Sequence, residues 1–369
     1  MLNSTDVFVI GGGPAGLAAA IAARQQGFRV LVADGAEMPI DKPCGEGLMP
    51  DGLAALGKLG VSVEEENSYP FRGIRFLGAG LAVDATFPNR ASGMGVRRTV
   101  LHRLIAKRAS SLGVDFLWKT PVTGISADGV HLGGRKVSAQ WIIGADGGSS
   151  QVRRWAGLDA FCSRDFRFAF RQHYRVAPWT DRMELHWGQH GQIYVTPVSK
   201  DEVCVAFISR NPKLRLTEAL QRFPELKSRL DGADISSSEK GALTATCKLK
   251  RVCRGNIALI GDASGTVDAI TGEGLCLAFS QAMVLADCLR SGDLARYRQE
   301  HRRLALRPFL MARVMLTLDG RPRLQRRTLQ ALQKRPDVFR RLLELHVGVL
   351  SPLHLALDGL TLGWGLLTA

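Results

Sequence analysis

Three patterns of apolar and polar positions follow one another along the chain. Val7-Phe8-Val9-Ile10 is apolar at every position, the pattern of a short strand buried on both faces of a parallel sheet. Leu17 to Gln26 is Ala-rich and predicts a helix that Gly27 stops. Arg29 to Ala33 predicts a second strand, closing a βαβ start at Asp34. A short helix is expected from Pro50 to Leu59, and an amphipathic one from Arg98 to Leu112, with Leu101, Leu104, Ile105 and Ala109 on one face. Strands are expected at 114–117, 122–126 and 137–143. From Arg167 to Arg210 the pattern becomes β-rich, with runs at 168–176, 183–187, 192–197 and 203–209, the spacing of an antiparallel meander. Asn256 to Ile260 predicts another buried strand and Leu275 to Leu289 a long helix. Everything after Ser291 reads as helix, broken at Pro322 and Pro336.

Strand–helix pieces flank the β-rich block on both sides, so the two domains are expected to be interleaved. The expected boundaries are 1–65, 96–160 and 250–292 for an α/β nucleotide-binding domain, 66–95 and 161–249 for a β-rich substrate domain, and 293–369 for a C-terminal basic helical region.

The first chemical motif is Gly11-x-Gly13-Pro14-Ala15-Gly16, set between the first strand and the first helix, with Asp34 ending the next strand. Gly11 permits the tight turn, Gly13 lets backbone approach a pyrophosphate, and Gly16 lets the helix pack on the strand. The helix N-terminus offers free N–H groups, and an acid at position 34 accepts from a ribose hydroxyl. Two further strand ends carry Gly144-Ala145-Asp146-Gly147 and Gly261-Asp262-Ala263, and Thr271-Gly272-Glu273-Gly274 opens the long helix.

These motifs, in this order, resemble the glutathione-reductase-like FAD-binding fold, and within it the branch shared by class A flavoprotein monooxygenases and geranylgeranyl reductases. The resemblance spans Asp6 to Leu289. It implies a three-layer FAD-binding Rossmann-like domain with an interleaved antiparallel substrate sheet. It also implies FAD held by Gly11, Gly13, Pro14, Ala15 and Gly16, with Asp34 on the adenosine ribose and Asp146-Gly147 beside the cofactor. Gly261-Asp262 would hold the flavin-side ribose and pyrophosphate, and Gly272 and Gly274 would face the flavin. Arg98 would sit near FAD, and the loop carrying Cys44 and Gly45 would lie close to the flavin. No second nucleotide domain is found, which fits NAD(P)H as a transient reductant.

Cys44 and Glu46 are the candidate proton-transfer residues, the first as a thiol donor and the second as an acid or base. A small packing residue and a solvated loop carboxylate are the alternatives. Arg171, His173, Tyr194 and Pro197 are the candidate substrate-binding residues. Arg171 and His173 share one face of a predicted strand, which points into a substrate cavity or lies on an exposed sheet face. Lys42-Pro43-Cys44-Gly45 and Gly261-Asp262-Ala263-Ser264-Gly265 look like geranylgeranyl reductases. Ile193-Tyr194-Val195-Thr196-Pro197 keeps the Tyr and Pro of their lipid motif but lacks its Trp and Phe, and that departure tips the reading toward a monooxygenase. The expected activity is oxygenation of a hydrophobic aromatic, polyketide-like or isoprenoid molecule. The alternatives are saturation of prenyl double bonds and a non-enzymatic lipid carrier of the same fold.

Composition adds little beyond the tail. At 46% apolar and 22% charged the chain is ordinary for a globular protein. Seven Cys with no CxxC spacing disfavour a disulfide scaffold or a zinc site, so no metal is expected. No signal-peptide pattern is seen, and a cytoplasmic location is expected. The net charge of +15 is local: residues 296–344 hold 14 Lys/Arg against 4 Asp/Glu. Leu342 to Ala369 is nearly all apolar. This basic-then-apolar tail suits a helical cap over the substrate domain, the favoured reading, or a segment lying peripherally on an anionic membrane. No nucleic-acid recognition motif accompanies the charge, and no nucleic-acid partner is expected.

Overall fold

A computed structural model describes residues 3–350 of the chain. The apolar strand Ser4–Ile10 lies mid-sheet, parallel to Val30–Ala33 on one side and Arg135–Gly144 on the other; Val9 pairs with Val32 and Ile143. Asp115–Leu117 and Ile257–Leu259 extend the parallel set outward. Both faces of the central strand are covered, which is why Val7 to Ile10 carries no polar residue. Helices Pro14–Gln25, Arg98–Ser111 and Gly274–Ser291 pack together in this domain. An antiparallel ribbon, Gly124–Ser126 with Gly129–Leu132, pairs with the start of Arg135–Gly144; its second strand is absent from the sequence expectations.

The second sheet has nine strands and is assembled from two separate stretches of chain. Phe161–Arg175, Met183–Gly188, Gly191–Ser199 and Glu202–Ser209 supply its centre, with Lys240–Leu249 beside Phe161–Arg175. One connection departs from the expected meander: Met183–Gly188 runs parallel to Gly73–Gly78, which arrives from the 66–95 segment. Lys240–Leu249 is long and half exposed, so its weak apolar alternation concealed it. Two helices of five and seven residues, Leu216–Leu220 and Pro224–Leu230, were too short to show a period and bury Leu216, Leu226 and Leu230 against this sheet.

The prolines of the tail start helices as well as interrupting them. Leu294–Leu318, Pro322–Lys334 and Pro336–His346 follow one another, with Pro322 and Pro336 in first-turn positions where a missing N–H costs nothing. The last two pack on Gly73–Gly78 and Leu81–Thr86, where Phe339 meets Phe76 at 4.7 Å between ring centres. Tyr297 ties the long helix to the parallel sheet by donating to the Leu259 carbonyl at 2.7 Å. The helices thus cap one face of the substrate sheet, while residues 351–369 of the apolar segment Leu342 to Ala369, part of the basis for the membrane alternative, lie outside the described residues.

A buried ion cluster joins the second sheet to this cap. Arg167, 1% exposed, pairs with Asp268 at 2.6 Å, bonds Gln192 at 2.8 Å and lies 3.3 Å from Asp319, which follows the long helix. Asp268 also caps the turn that leads to Gly272-Glu273-Gly274 by accepting from the Ile270 N–H.

Candidate active site

The glycine-rich turn is built as its residue types require. Gly11 has φ +109°, and a Cβ there would stand 2.4 Å from the Ala145 carbonyl oxygen; at Gly16 it would stand 1.9 Å from the Gly11 oxygen. Both glycines are demanded by the fold. Gly13 is different. Its backbone is extended (φ −68°, ψ 174°), open to any residue, and a Cβ would meet nothing within 4 Å. The same open space faces Gly45 and Gly274. Open backbone at Gly13, on the wall of the cleft described next, makes this turn a cradle for a group that approaches backbone closely.

Asp34 ends the second strand, where one carboxylate oxygen accepts from Gly12 N–H and the other from Ala36 N–H, each at 2.7 Å. Each oxygen keeps a lone pair for a ribose hydroxyl. A cavity of about 260 Å³ runs past Gly11, Gly13, Asp34, Lys42, Ala145 and Asp146. Asp146 itself spends its carboxylate on the Ser150 hydroxyl and on the N–H groups of Gln151 and Val152, so it shapes the wall of the cleft. Gly147 adopts φ +82°, and Gly261 φ +56° with the Ala15 methyl against it. Asp262 keeps an exposed side chain, and the protein packed around it still desolvates it enough to raise its pKa, against the pull of Arg98 and Lys42. Pro14 starts the first helix and Gly272 ends a short turn in the left-handed region (φ 68°). Arg98 begins its helix, and its buried Nε lacks a partner among the described residues. An orphaned guanidinium nitrogen and a turn with open backbone at Gly13 suit an anionic dinucleotide such as FAD.

Three supports of this site escaped sequence reasoning. His102, fully buried, donates from Nε2 to the Gly12 carbonyl at 2.8 Å, and burial lowers its pKa. Arg153 donates to the Gly148 and Ala263 carbonyls, tying two motif loops together. Gln281 accepts from Gly261 N–H at 2.8 Å and is itself fixed by His301. Arg153 follows the Asp146-Gly147 turn by six residues; the other two sit mid-helix, where nothing in the sequence separates them from ordinary core residues.

The Cys44 loop lies where Gly47 pairs with Gly95, and Thr196 donates to the Gly45 carbonyl at 2.7 Å. Cys44 is partly exposed. Glu46 is 3% exposed and adopts φ 60°, which corrects the alternative of a solvated carboxylate. It accepts from Arg98 N–H at 2.9 Å and meets His173 Nε2 at 2.6 Å. Arg171 and His173 do share a face, but that face is buried, which corrects the exposed-face alternative; both turn toward Glu46. Arg171 also pairs with Asp41. Glu46, His173 and Cys204 bring ligand-type atoms within 4.8 Å of one another. The guanidinium groups of Arg97 and Arg171 both touch His173, so the cluster repels a cation. Tyr194 is buried and donates to the Ile270 carbonyl at 2.8 Å, and Pro197 packs its carbonyl against Gly95. Among the described residues no helix is long and apolar enough to cross a membrane, and all seven Cys are free thiols.

With this cradle on two interleaved sheets, the protein is an FAD-dependent oxidoreductase. The profile of the FAD binding domain family matches residues 4–292, and the chain belongs to that family. A menaquinone reductase of Mycobacterium tuberculosis is 30% identical over 322 residues, covering 80% of this chain and 78% of that protein. A digeranylgeranylglycerophospholipid reductase of Methanocella arvoryzae is 27% identical over 342 residues, covering 82% and 84%. Among solved structures, the tetrameric form of 2-methyl-3-hydroxypyridine-5-carboxylic acid oxygenase superposes with a TM-score of 0.70 at 22% identity, covering 87% of this chain and 93% of that one. At that identity it shares the fold. Reductases and an oxygenase thus use this architecture, and the expected flavoenzyme class holds.

Proposed function

We propose that the protein is a reductase that saturates a carbon–carbon double bond of a prenyl-bearing lipid, with NAD(P)H as electron source. The observation that carries this reading is the Cys44 loop: a partly exposed thiol two residues from a buried carboxylate, on the segment whose Lys42 lines the cofactor cleft. Bound FAD supplies hydride chemistry. An alkene that receives a hydride at one carbon needs a proton at the other, and in this reading the Cys44 thiol gives it and regains one that enters ultimately from solvent. The overall change consumes one NAD(P)H and one proton and adds two hydrogens to the substrate. The named reductases above support the reading.

Monooxygenation is the second reading. The favouring observation is that Tyr194 and Pro197, the surviving parts of the reductases' lipid motif, are spent on the fold, and the stretch Ile193 to Pro197 lacks that motif's Trp and Phe.

The test is product mass from a menaquinone with an unsaturated prenyl chain and from a digeranylgeranylglycerophospholipid, each in micelles with NADPH. Gain of two hydrogens without oxygen, lost in Cys44→Ser, supports reduction, since a hydroxyl is a far weaker acid than a thiol. Gain of one 18O under labelled oxygen, retained in Cys44→Ser, replaces it with the oxygenase. In either reading a lipophilic substrate would be met at an anionic membrane through the exposed Arg323, Arg326, Arg327 and Lys334 of helix Pro322–Lys334, a helix without an acidic residue.

A further inference from the structure

We infer that His173 is the positioning residue for the site's proton chemistry: held by Arg97 and Arg171, it keeps the Glu46 carboxylate in place behind Cys44 as the group that exchanges protons with the loop. The inference rests on the reductase reading for the reaction served, and on geometry for the arrangement itself.

The geometry begins with the backbone. Glu46 adopts φ 60°, a left-handed conformation that costs a non-glycine residue about 1 kcal/mol or more, although both neighbours in Gly45-Glu46-Gly47 are glycines. The strained position therefore needs the side chain, and the side chain is buried to 3% exposure. Glu46 Oε1 accepts from Arg98 N–H, and Arg171 Nε, buried with no hydrogen-bond partner among the described residues, stands 4.0 Å away. Glu46 Oε2 meets His173 Nε2 at 2.6 Å.

The arginines decide which nitrogen of His173 carries the proton. Arg97 Nη2 lies 3.0 Å and Arg171 Nη1 3.1 Å from Nδ1. A guanidinium only donates, so Nδ1 accepts. With Nδ1 accepting, the ring N–H is left at Nε2, aimed at Glu46. Ser237 Oγ, 2.7 Å from Nδ1 and also accepting from His173 N–H, closes the ring's outer side. The other charged or titratable groups packed around the pair are Asp41 on Arg171, Glu202 on Arg97, Lys240 on Asp41, and the thiols of Cys44 and Cys204. Burial raises the Cys204 pKa well above the ordinary thiol range, which leaves it protonated beside Glu46. Cys44 Sγ accepts from Glu46 N–H at 3.4 Å, so the carboxylate and the partly exposed thiol share one turn of the loop.

Two measurements test this. In 1H–15N NMR of the FAD-loaded protein at pH 7.5, the His173 proton resides on Nε2 and resonates far downfield, and Glu46→Gln moves it upfield. A proton on Nδ1, or no response to Glu46→Gln, overturns the arrangement. In turnover of menaquinone in micelles, His173→Gln, which keeps an N–H toward Glu46 and an acceptor toward the arginines, stays within about tenfold of wild type. His173→Leu loses about 10²- to 10⁴-fold in kcat, the range for a misplaced acid–base group, with KM, FAD content and anaerobic flavin reduction by NADPH unchanged. Equal rates in all three proteins, or equal losses in both variants, overturn the positioning role. If wild type does not turn over menaquinone, the reductase reading fails there, and the NMR result still decides the present inference.

Discussion

Gly13→Val separates cofactor binding from folding. The residue precedes the first helix with extended dihedrals, and an added Cβ finds empty space for 4 Å. In the protein alone, Val forfeits part of glycine's preference for a helix N-cap but restricts the unfolded chain; each effect is about 1 kcal/mol or less, and they oppose one another. The apoprotein's melting temperature should therefore move by only a few degrees. With FAD the outcome differs, because the branched side chain fills the space the pyrophosphate needs and holds it off the helix N–H groups. Losing two charge-assisted hydrogen bonds at about 1.5 kcal/mol each weakens binding by at least ~3 kcal/mol, or ~150-fold. Flavin absorbance of the purified variant and calorimetric titration of FAD measure this. Gly11→Val is the control: at φ +109°, with a Cβ 2.4 Å from Ala145 oxygen, it should fail to fold. A Gly13→Val protein that binds FAD within tenfold of wild type would show that the pyrophosphate does not lie on this turn.

Further outcomes are expected elsewhere. Asp268→Asn, which strips the buried Arg167 of its closest carboxylate, should cost about 3–5 kcal/mol in denaturant unfolding, and Arg167→Met with Asp268→Leu should recover much of it. Burial lowers the His301 pKa from 6.5 to about 4; the unfolded chain binds the extra proton first, so stability is complete above pH 6.5 and falls by about 3 kcal/mol as pH drops to 4. His301→Gln should flatten that segment of the stability–pH curve, and an unchanged curve would assign the loss to other groups. Arg323→Glu with Arg326→Glu and Arg327→Glu should abolish binding to phosphatidylglycerol vesicles, and wild-type binding should weaken with salt; binding that ignores both would place any membrane contact elsewhere.

The local chemistry of the nucleotide site was legible in the chain. Val7 to Ile10, the spacing of Gly11, Gly13 and Gly16, and Asp34 after a second apolar run follow from strand burial, turn sterics and helix polarity, which act within some thirty residues. Cys44 and Glu46 stood out for the same reason, in a short run flanked by glycines. What surrounds them was decided by tertiary structure. Nothing local says that Met183–Gly188 will pair in parallel with Gly73–Gly78, because that choice rests on two surfaces more than a hundred residues apart. Period-two spacing put Arg171 and His173 on one face but left open whether solvent, substrate or protein would meet it. The fold answers by bringing Glu46 from 127 positions earlier to 2.6 Å from His173, and by setting two arginines on the ring's other side. A buried carboxylate survives only where such partners converge, and convergence is a property of the packed chain, not of any one segment of it.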